Sequence, residues 1–339
     1  MPAQHPLFAY PEFRYGADPR RRSVNLGDNI QSMAVRRLLE HLGIPPANII
    51  GVDRDGTRDY EGPPAKLVMN GCFHEGCFPL SSRIEPIFFG FNAESEAVVT
   101  RNLALFRAHQ PIGCRDAATC GLLRKHGIAA YVTGCATATF PRRSAMPARA
   151  QPVIAFGAGP GELPGRLLSH MPKPLLEAAR LIYQREPVAT VPLPDAEVAR
   201  LESLAARYLE AYQQASLVVT PLLHVAFPCL AMGVPVVLAR RDHDDRFTAI
   251  DRLLPLYTPA NLHAIDWTPL APDLRVVKQA MFNTAASLLR GSAPAMADLR
   301  TLQACYEAAP VLTDPPHAEG FLGRFLMAHA RRRASRGLV

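Results

Sequence analysis

The 339-residue chain is short of lysine, tryptophan and long apolar runs. No stretch of about 18 uninterrupted apolar residues occurs, which excludes a transmembrane helix. The opening MPAQHPLFAYPEF lacks a basic segment followed by an apolar one, so no secretion signal is expected and the cytoplasm is the expected location. The seven cysteines, Cys72, Cys77, Cys114, Cys120, Cys135, Cys229 and Cys305, are odd in number, scattered and set mostly in apolar runs, which reads as reduced thiols. Basic and aromatic residues do not interleave and no nucleic-acid-binding module is recognisable, so no nucleic-acid partner is expected. No repeat of solenoid period is present. Cys72-Phe73-His74-Glu75-Gly76-Cys77 offers only three cramped ligands with no partner cluster downstream, so neither a metal nor a cofactor is expected. The segment reads instead as a loop lining a cleft.

With 48% hydrophobic and 20% charged residues the composition is that of an ordinary globular protein, long for one domain and comfortable for two. The net charge of +7 is nearly all arginine, since Lys66, Lys125, Lys173 and Lys278 are the lysines. Arginine suits phosphate and carboxylate because its fork binds them bidentately, although an Arg-for-Lys compositional bias gives the same count.

The most informative stretch is Leu217–Ala239, LVVTPLLHVAFPCLAMGVPVVLA. Leu217–Thr220 and Val234–Ala239 are β-branched runs typical of buried parallel strands. Leu223–Met232 has helical length between them, with Gly233 and Pro235 as stop signals. The spacing predicts one βαβ unit, with His224 on the first helical turn past a strand's carboxyl end, where open α/β sheets bind ligands. Helix N-termini there also favour anions.

Other pieces repeat that pattern. Leu7–Tyr10 reads as a first strand, and Asp28 as the N-cap of a helix over Asn29–Leu42, with Gly27 allowing close backbone approach. Lys66–Asn70 and Ile87–Gly90 read as short strands. Ile112-Gly113-Cys114-Arg115 ends a strand, and Asp116 caps a helix over Ala117–His126. Arg115 thus sits where a strand hands over to a helix; it either pairs with Asp116 or, the favoured reading, holds an anionic ligand. Pro141–Gln151 is the best linker. Gly157–Glu162 only weakly resembles a phosphate-cradling loop, because the spacing is wrong and a proline intervenes. Asp195–Gln214 is a long amphipathic helix.

These expectations give an α/β fold of two Rossmann-like domains with parallel sheets, residues 1–145 and 150–320, followed by a basic tail, 321–339. The tail reads either as a helix packed on the domain, the commoner fate, or as a basic amphipathic helix making peripheral contact with an anionic membrane surface.

In order along the chain, Asn25-Leu-Gly-Asp28, Asn70-Gly71, Gly113-Cys-Arg115-Asp116, Gly134-Cys135-Ala-Thr-Ala-Thr139, Val219-Thr-Pro-Leu-Leu-His224, Ala231-Met-Gly-Val-Pro235 and Asp245-Arg246-Phe247 resemble the polysaccharide pyruvyl transferase family. The resemblance covers roughly residues 24–254. It implies a GT-B-like arrangement of the two domains around a central cleft, acceptor side N-terminal and donor side C-terminal. It also implies transfer of the enolpyruvyl group of phosphoenolpyruvate onto two hydroxyls of a sugar, in a polysaccharide or lipid-linked oligosaccharide, with release of phosphate. On that reading His224 is the general acid and Arg115 the anion anchor. Arg240, Arg241 and Arg246 are further anion ligands, and Asn25, Gly27, Asp28, Asn70, Gly71 and Gly134 line the cleft. One departure stands out: where the family has arginine two residues before the histidine, this chain has Leu222. The competing readings are a nucleotide-sugar-dependent glycosyltransferase in the same cleft and a non-catalytic glycan-binding member.

Overall fold

The computed structural model describes residues 6–312, so the basic tail 321–339 and its membrane expectation lie outside the described residues. Short β-branched and apolar runs form strands buried on both faces, as parallel sheets require. Strands β1 (Leu7–Glu12), β2 (Ser23–Asn25), β3 (Ile49–Asp53), β4 (Ala65–Val68), β5 (Gly71–Phe73), β6 (Ile84–Ile87), β7 (Phe91–Ala93), β8 (Ile112–Cys114) and β9 (Ala130–Val132) come from the N-terminal part of the chain. All but β2 run parallel in two sheets, β3-β1-β4-β6 and β5-β7-β8-β9. The two join end to end, because β4 continues into β5 and β6 into β7. Bonds from Met69 N to Ile87 O (2.8 Å) and Gly71 N to Gly90 O (3.0 Å) carry the ladder across the break.

The second sheet contains β10 (Val153–Phe156), β11 (Arg180–Tyr183), β13 (Val218–Thr220), β14 (Val236–Ala239) and β15 (Leu256–Tyr257) in the order β11-β10-β13-β14-β15, also parallel throughout. Each sheet begins its winding from the middle and reverses direction once. That order belongs to the doubly wound class, in which the reversal leaves a crevice at the strands' carboxyl ends. The parallel α/β class expected from the sequence is therefore present. The remaining strand, β12 (Arg185–Pro187), pairs antiparallel with β2 and ties the two sheets together.

Helices Leu26–His41 and Leu223–Met232 pack against each other and direct their N-termini toward the same space. Gly27 permits that approach: a Cβ there would lie 3.1 Å from the His224 Cβ. The βαβ unit around His224 forms as expected, with Gly233 left-handed at φ 73° beyond the helix. The last two helices among the described residues, Arg275–Leu289 and Met296–Tyr306, turn back toward the N-terminal sheet, and Tyr306 fills the space over Gly134.

Candidate active site

Asn25, Asp28, Gln31, Arg54, Cys72, Arg115, Gln184, Leu222, Leu223, His224, Arg240, Arg246 and Phe247 enclose a cavity of about 150 Å³. Most follow the carboxyl end of a parallel strand: Arg54 after β3, Arg115 after β8, Gln184 after β11, Leu222–His224 after β13 and Arg240 after β14. Both sheets thus contribute, and the β2–β12 pairing sets their junction beneath the cavity.

Arg115 is the most telling side chain. It is 2% exposed, and its Nε and Nη2 have no hydrogen-bond partner. The nearest carboxylate, Asp116, approaches Nε to 3.5 Å, but its oxygens are already engaged. Oδ1 caps the helix Ala117–Lys125 through Thr119 N (2.9 Å), and Oδ2 accepts from Asn92 Nδ2 (2.9 Å). A buried guanidinium with idle donors is costly unless an anion completes it.

His224 Nε2 is likewise sealed from solvent and without a partner. Burial, then the positive charges of Arg115 and Arg246, lower its pKa well below 6.5. The imidazolium expected from the sequence is therefore disfavoured here, because burial and the two neighbouring cations all oppose it. An arriving anion offsets the two arginine contributions, while burial, the largest cause, remains.

Asp28 was expected to cap the first helix. Instead Asn25 does so, accepting from Gly27 N (3.1 Å), and the helix starts earlier, at Leu26. Released from capping, Asp28 faces the cavity, held by Tyr15 Oη (2.9 Å) and Gln31 Nε2 (3.2 Å). Burial raises its pKa, opposed by Arg54, Tyr15, Arg21 and Arg115.

Arg54, which sequence reasoning missed, is clamped in place. Its Nε bonds Asp55 Oδ1 (2.8 Å), its Nη1 donates to Cys72 O (3.0 Å), and the guanidinium lies 5.0 Å from the Phe13 ring centre. Arg240 donates to Pro221 O (2.6 Å) and stacks 4.2 Å from the Phe247 ring centre. Arg246 is bidentate to Asp244. Gln31 and Gln184 were also missed; no sequence motif distinguishes a cavity-facing glutamine from a solvated one.

Several expected site residues lie elsewhere. Asn70 is fully buried at the break between β4 and β5, where its Oδ1 accepts from Ala136 N (2.8 Å). It joins the two halves of the sheet and does not line the cavity. Gly134 packs against Tyr306, and Gly71, at φ 122°, passes Gln31 Oε1 without lining the cavity. Arg241 points away, toward Leu163 O (3.4 Å). The glycine loop holds no free anion cradle either, because Glu162 accepts from Gly157 N (2.7 Å) and Ala158 N (2.6 Å).

Among the described residues, Asp55, His74 and Cys77 bring ligand-capable atoms within 4.8 Å of one another. Asp55 Oδ1 already binds Arg54 and His74 Nε2 (3.1 Å), and Oδ2 accepts from Ala17 N (3.2 Å). The cluster is therefore built as a brace for Arg54.

Two doubly wound parallel sheets with a basic, histidine-bearing cavity between their carboxyl edges define the class: a Rossmann-like α/β protein with an interfacial site. The particular family follows from comparison with known proteins. The family model "Polysaccharide pyruvyl transferase" matches residues 25–243, and the chain belongs to that family. It is accordingly a transferase. No curated protein matches the chain. Among solved structures, a functionally uncharacterised Klebsiella pneumoniae protein matches at 16% identity and TM-score 0.39, over 68% of this chain and 82% of that one. A Listeria monocytogenes protein described as a UDP-N-acetylglucosamine 2-epimerase matches at 13% identity and TM-score 0.39, over 98% of each chain. The fold class follows from this chain's own sheet order.

Proposed function

We propose that the cavity binds phosphoenolpyruvate and that the protein transfers its enolpyruvyl group, as a ketal, onto two hydroxyls of a sugar acceptor. The observation that carries this reading is Arg115, buried with idle donors beside an unpartnered His224. Charge and size agree with it. Four arginines line the cavity, Arg54, Arg115, Arg240 and Arg246, against one lining carboxylate, Asp28, and although Asp55 and Asp244 pair with Arg54 and Arg246, the site stays net positive. Phosphoenolpyruvate is a small anion bearing a carboxylate and a phosphate, with a limiting charge of about −3. The enclosed space of about 150 Å³ is smaller than the roughly 300–1,000 Å³ usual for pockets that bury drug-sized ligands, which favours a small donor. The glycosyltransferase reading therefore has less support in this cavity.

The chemistry divides among the lining groups. Arg115, with Arg246 and Arg54, holds the carboxylate and phosphate by charge-assisted bonds. As the anion offsets their charge, His224 gains a proton and becomes the donor to the methylene carbon. The π electrons form the new C–H bond, C2 becomes electrophilic, and the first sugar hydroxyl adds there, returning its proton to the now neutral His224. The C2–O bond to phosphate then breaks, phosphate leaves with the electron pair, and the second hydroxyl closes the ketal, its proton passing to the released phosphate. Leu222 leaves the histidine helix without the family's arginine; Arg54 and Arg246 stand close enough to carry the charge. A thermal-shift screen tests the reading. Phosphoenolpyruvate is expected to raise the melting temperature, free phosphate to do so weakly, and UDP- and CMP-sugars not at all. Stabilisation by a nucleotide sugar alone would refute it.

A further inference from the structure

The cavity contains two groups that the proposed donor has no use for. Gln31 is 2% exposed and Gln184 fully buried, and in each the amide oxygen has no hydrogen-bond partner. For Gln31 the orientation is set by what holds the amide nitrogen, and for Gln184 either end of the amide can meet the Tyr212 hydroxyl, leaving the other end free. Gln31 Nε2 donates to Asp28 Oδ1 (3.2 Å), and a carboxylate accepts but does not donate. Gln184 Nε2 donates to the Tyr212 hydroxyl (3.0 Å). A buried carbonyl oxygen without a donor forfeits its hydration, so its position marks where an O–H or N–H arrives. Phosphoenolpyruvate near neutral pH is mostly ionised and offers almost no such group.

The lining is also segregated. Gln31 and Asp28 stand on the first turns of helix Leu26–His41, and Gln184 O accepts from Leu26 N (2.9 Å), so all three gather at one helix start. Arg115, Arg240 and Arg246 follow β8 and β14. The first face carries the two free amide groups and Asp28, with Arg54 beside them, and the second carries the other three arginines. Gly71 lets the Gln31 amide sit where it does, since a Cβ there would lie 3.1 Å from Gln31 Oε1.

We propose that Gln31 and Gln184 form the acceptor subsite, each amide oxygen receiving one hydroxyl of a sugar diol, and so select the acceptor. This deepens the pyruvyl-transfer reading and rests on it for the identity of the second substrate. Two amide oxygens match the two hydroxyls that a ketal must bridge. The subsite takes a neutral diol and disfavours an acceptor bearing a carboxylate or phosphate at those positions, because the Asp28 carboxylate lines the same cavity and holds the Gln31 amide.

The test uses the full chain with Gln31→Met and Gln184→Met, which keep side-chain length and remove hydrogen bonding. The probes are phosphoenolpyruvate and three diols: methyl β-D-galactopyranoside, methyl β-D-glucopyranoside and methyl α-D-mannopyranoside. At least one glycoside is expected to bind or react, with its Kd or KM raised tenfold or more in each variant. The concentration of phosphoenolpyruvate for half-maximal thermal stabilisation should stay within twofold. An analogue lacking one hydroxyl should bind wild type as weakly as the full sugar binds one variant, and lose little further in that variant. Unchanged glycoside affinity in both variants, equal losses for donor and glycoside, or no binding of any glycoside to wild type would overturn the assignment. If wild type binds a glycoside through both glutamines but ignores phosphoenolpyruvate, the donor reading fails while the hydroxyl subsite stands.

Discussion

Replacing Arg115 with methionine should separate what the fold needs from what the site needs. Methionine has similar length, so the change removes charge and donors with little loss of volume. In the free protein two guanidinium nitrogens are buried without partners, and each such group costs about 1–3 kcal/mol. Asp116 offers little compensation at 3.5 Å with its oxygens engaged. Arg115→Met should therefore leave the unliganded melting temperature unchanged or raise it by roughly 2–6 °C, from about 1–3 kcal/mol of stability. Binding should move the other way. Two charge-assisted bonds to phosphate or carboxylate are worth about 3–4 kcal/mol together, so the Kd for phosphoenolpyruvate should rise roughly 150- to 900-fold. Differential scanning fluorimetry with a phosphoenolpyruvate titration reads both quantities on one sample. A variant that melts several degrees lower yet binds phosphoenolpyruvate as tightly as wild type would refute the reasoning, because Arg115 would then be a structural cation.

His224 has a folded pKa well below the 6.5 of the unfolded chain, so the unfolded chain takes the proton first. Its contribution to stability is intact above about pH 6.5 and declines below it, by at most about 1.4 kcal/mol per pH unit. Urea midpoints at pH 7.5 and 5.5 should fall further apart in wild type than in His224→Gln; equal falls would contradict the burial argument. Asn70→Leu should cost about 1–3 kcal/mol, by orphaning Ala136 N, yet leave phosphoenolpyruvate affinity within about twofold. Weakened binding at full stability would return Asn70 to the site. Gly27→Ala places a methyl 3.1 Å from His224 Cβ and 3.2 Å from the Asn25 amide. Turnover should drop more than tenfold, while loss of the Asn25 cap costs only about 1 kcal/mol of stability. Full activity would show that the two helix starts move apart freely.

The sheets were legible where one local pattern dominated. The β-branched runs at Val218–Thr220 and Val236–Ala239, with Gly233 between them, spell a βαβ unit that no tertiary context needed to override. The same logic placed Arg115 and His224 at strand ends facing a common cleft. What stayed hidden depends on contacts between segments far apart in sequence. Asp28 reads as a cap because its side chain suits one, but Asn25 is three residues earlier and the β2–β12 pairing starts the helix there. Asn70 precedes a glycine and reads as a cleft residue; its role is to bond a backbone amide 66 residues later, across a break in the sheet. Arg54, Gln31 and Gln184 carry no motif at all, and only the folded chain brings them to one cavity.

The central claim is that phosphoenolpyruvate and a sugar diol react here to give a ketal and phosphate. Proton NMR of the wild-type protein with phosphoenolpyruvate and methyl β-D-galactopyranoside, glucopyranoside or mannopyranoside tests it most directly, with inorganic phosphate assayed alongside. A new methyl singlet of a sugar-bound ketal, equal in amount to the phosphate released and absent in Arg115→Met, is the predicted result. Phosphate accompanied only by free pyruvate, or no consumption of phosphoenolpyruvate while a nucleotide sugar is turned over, would contradict it.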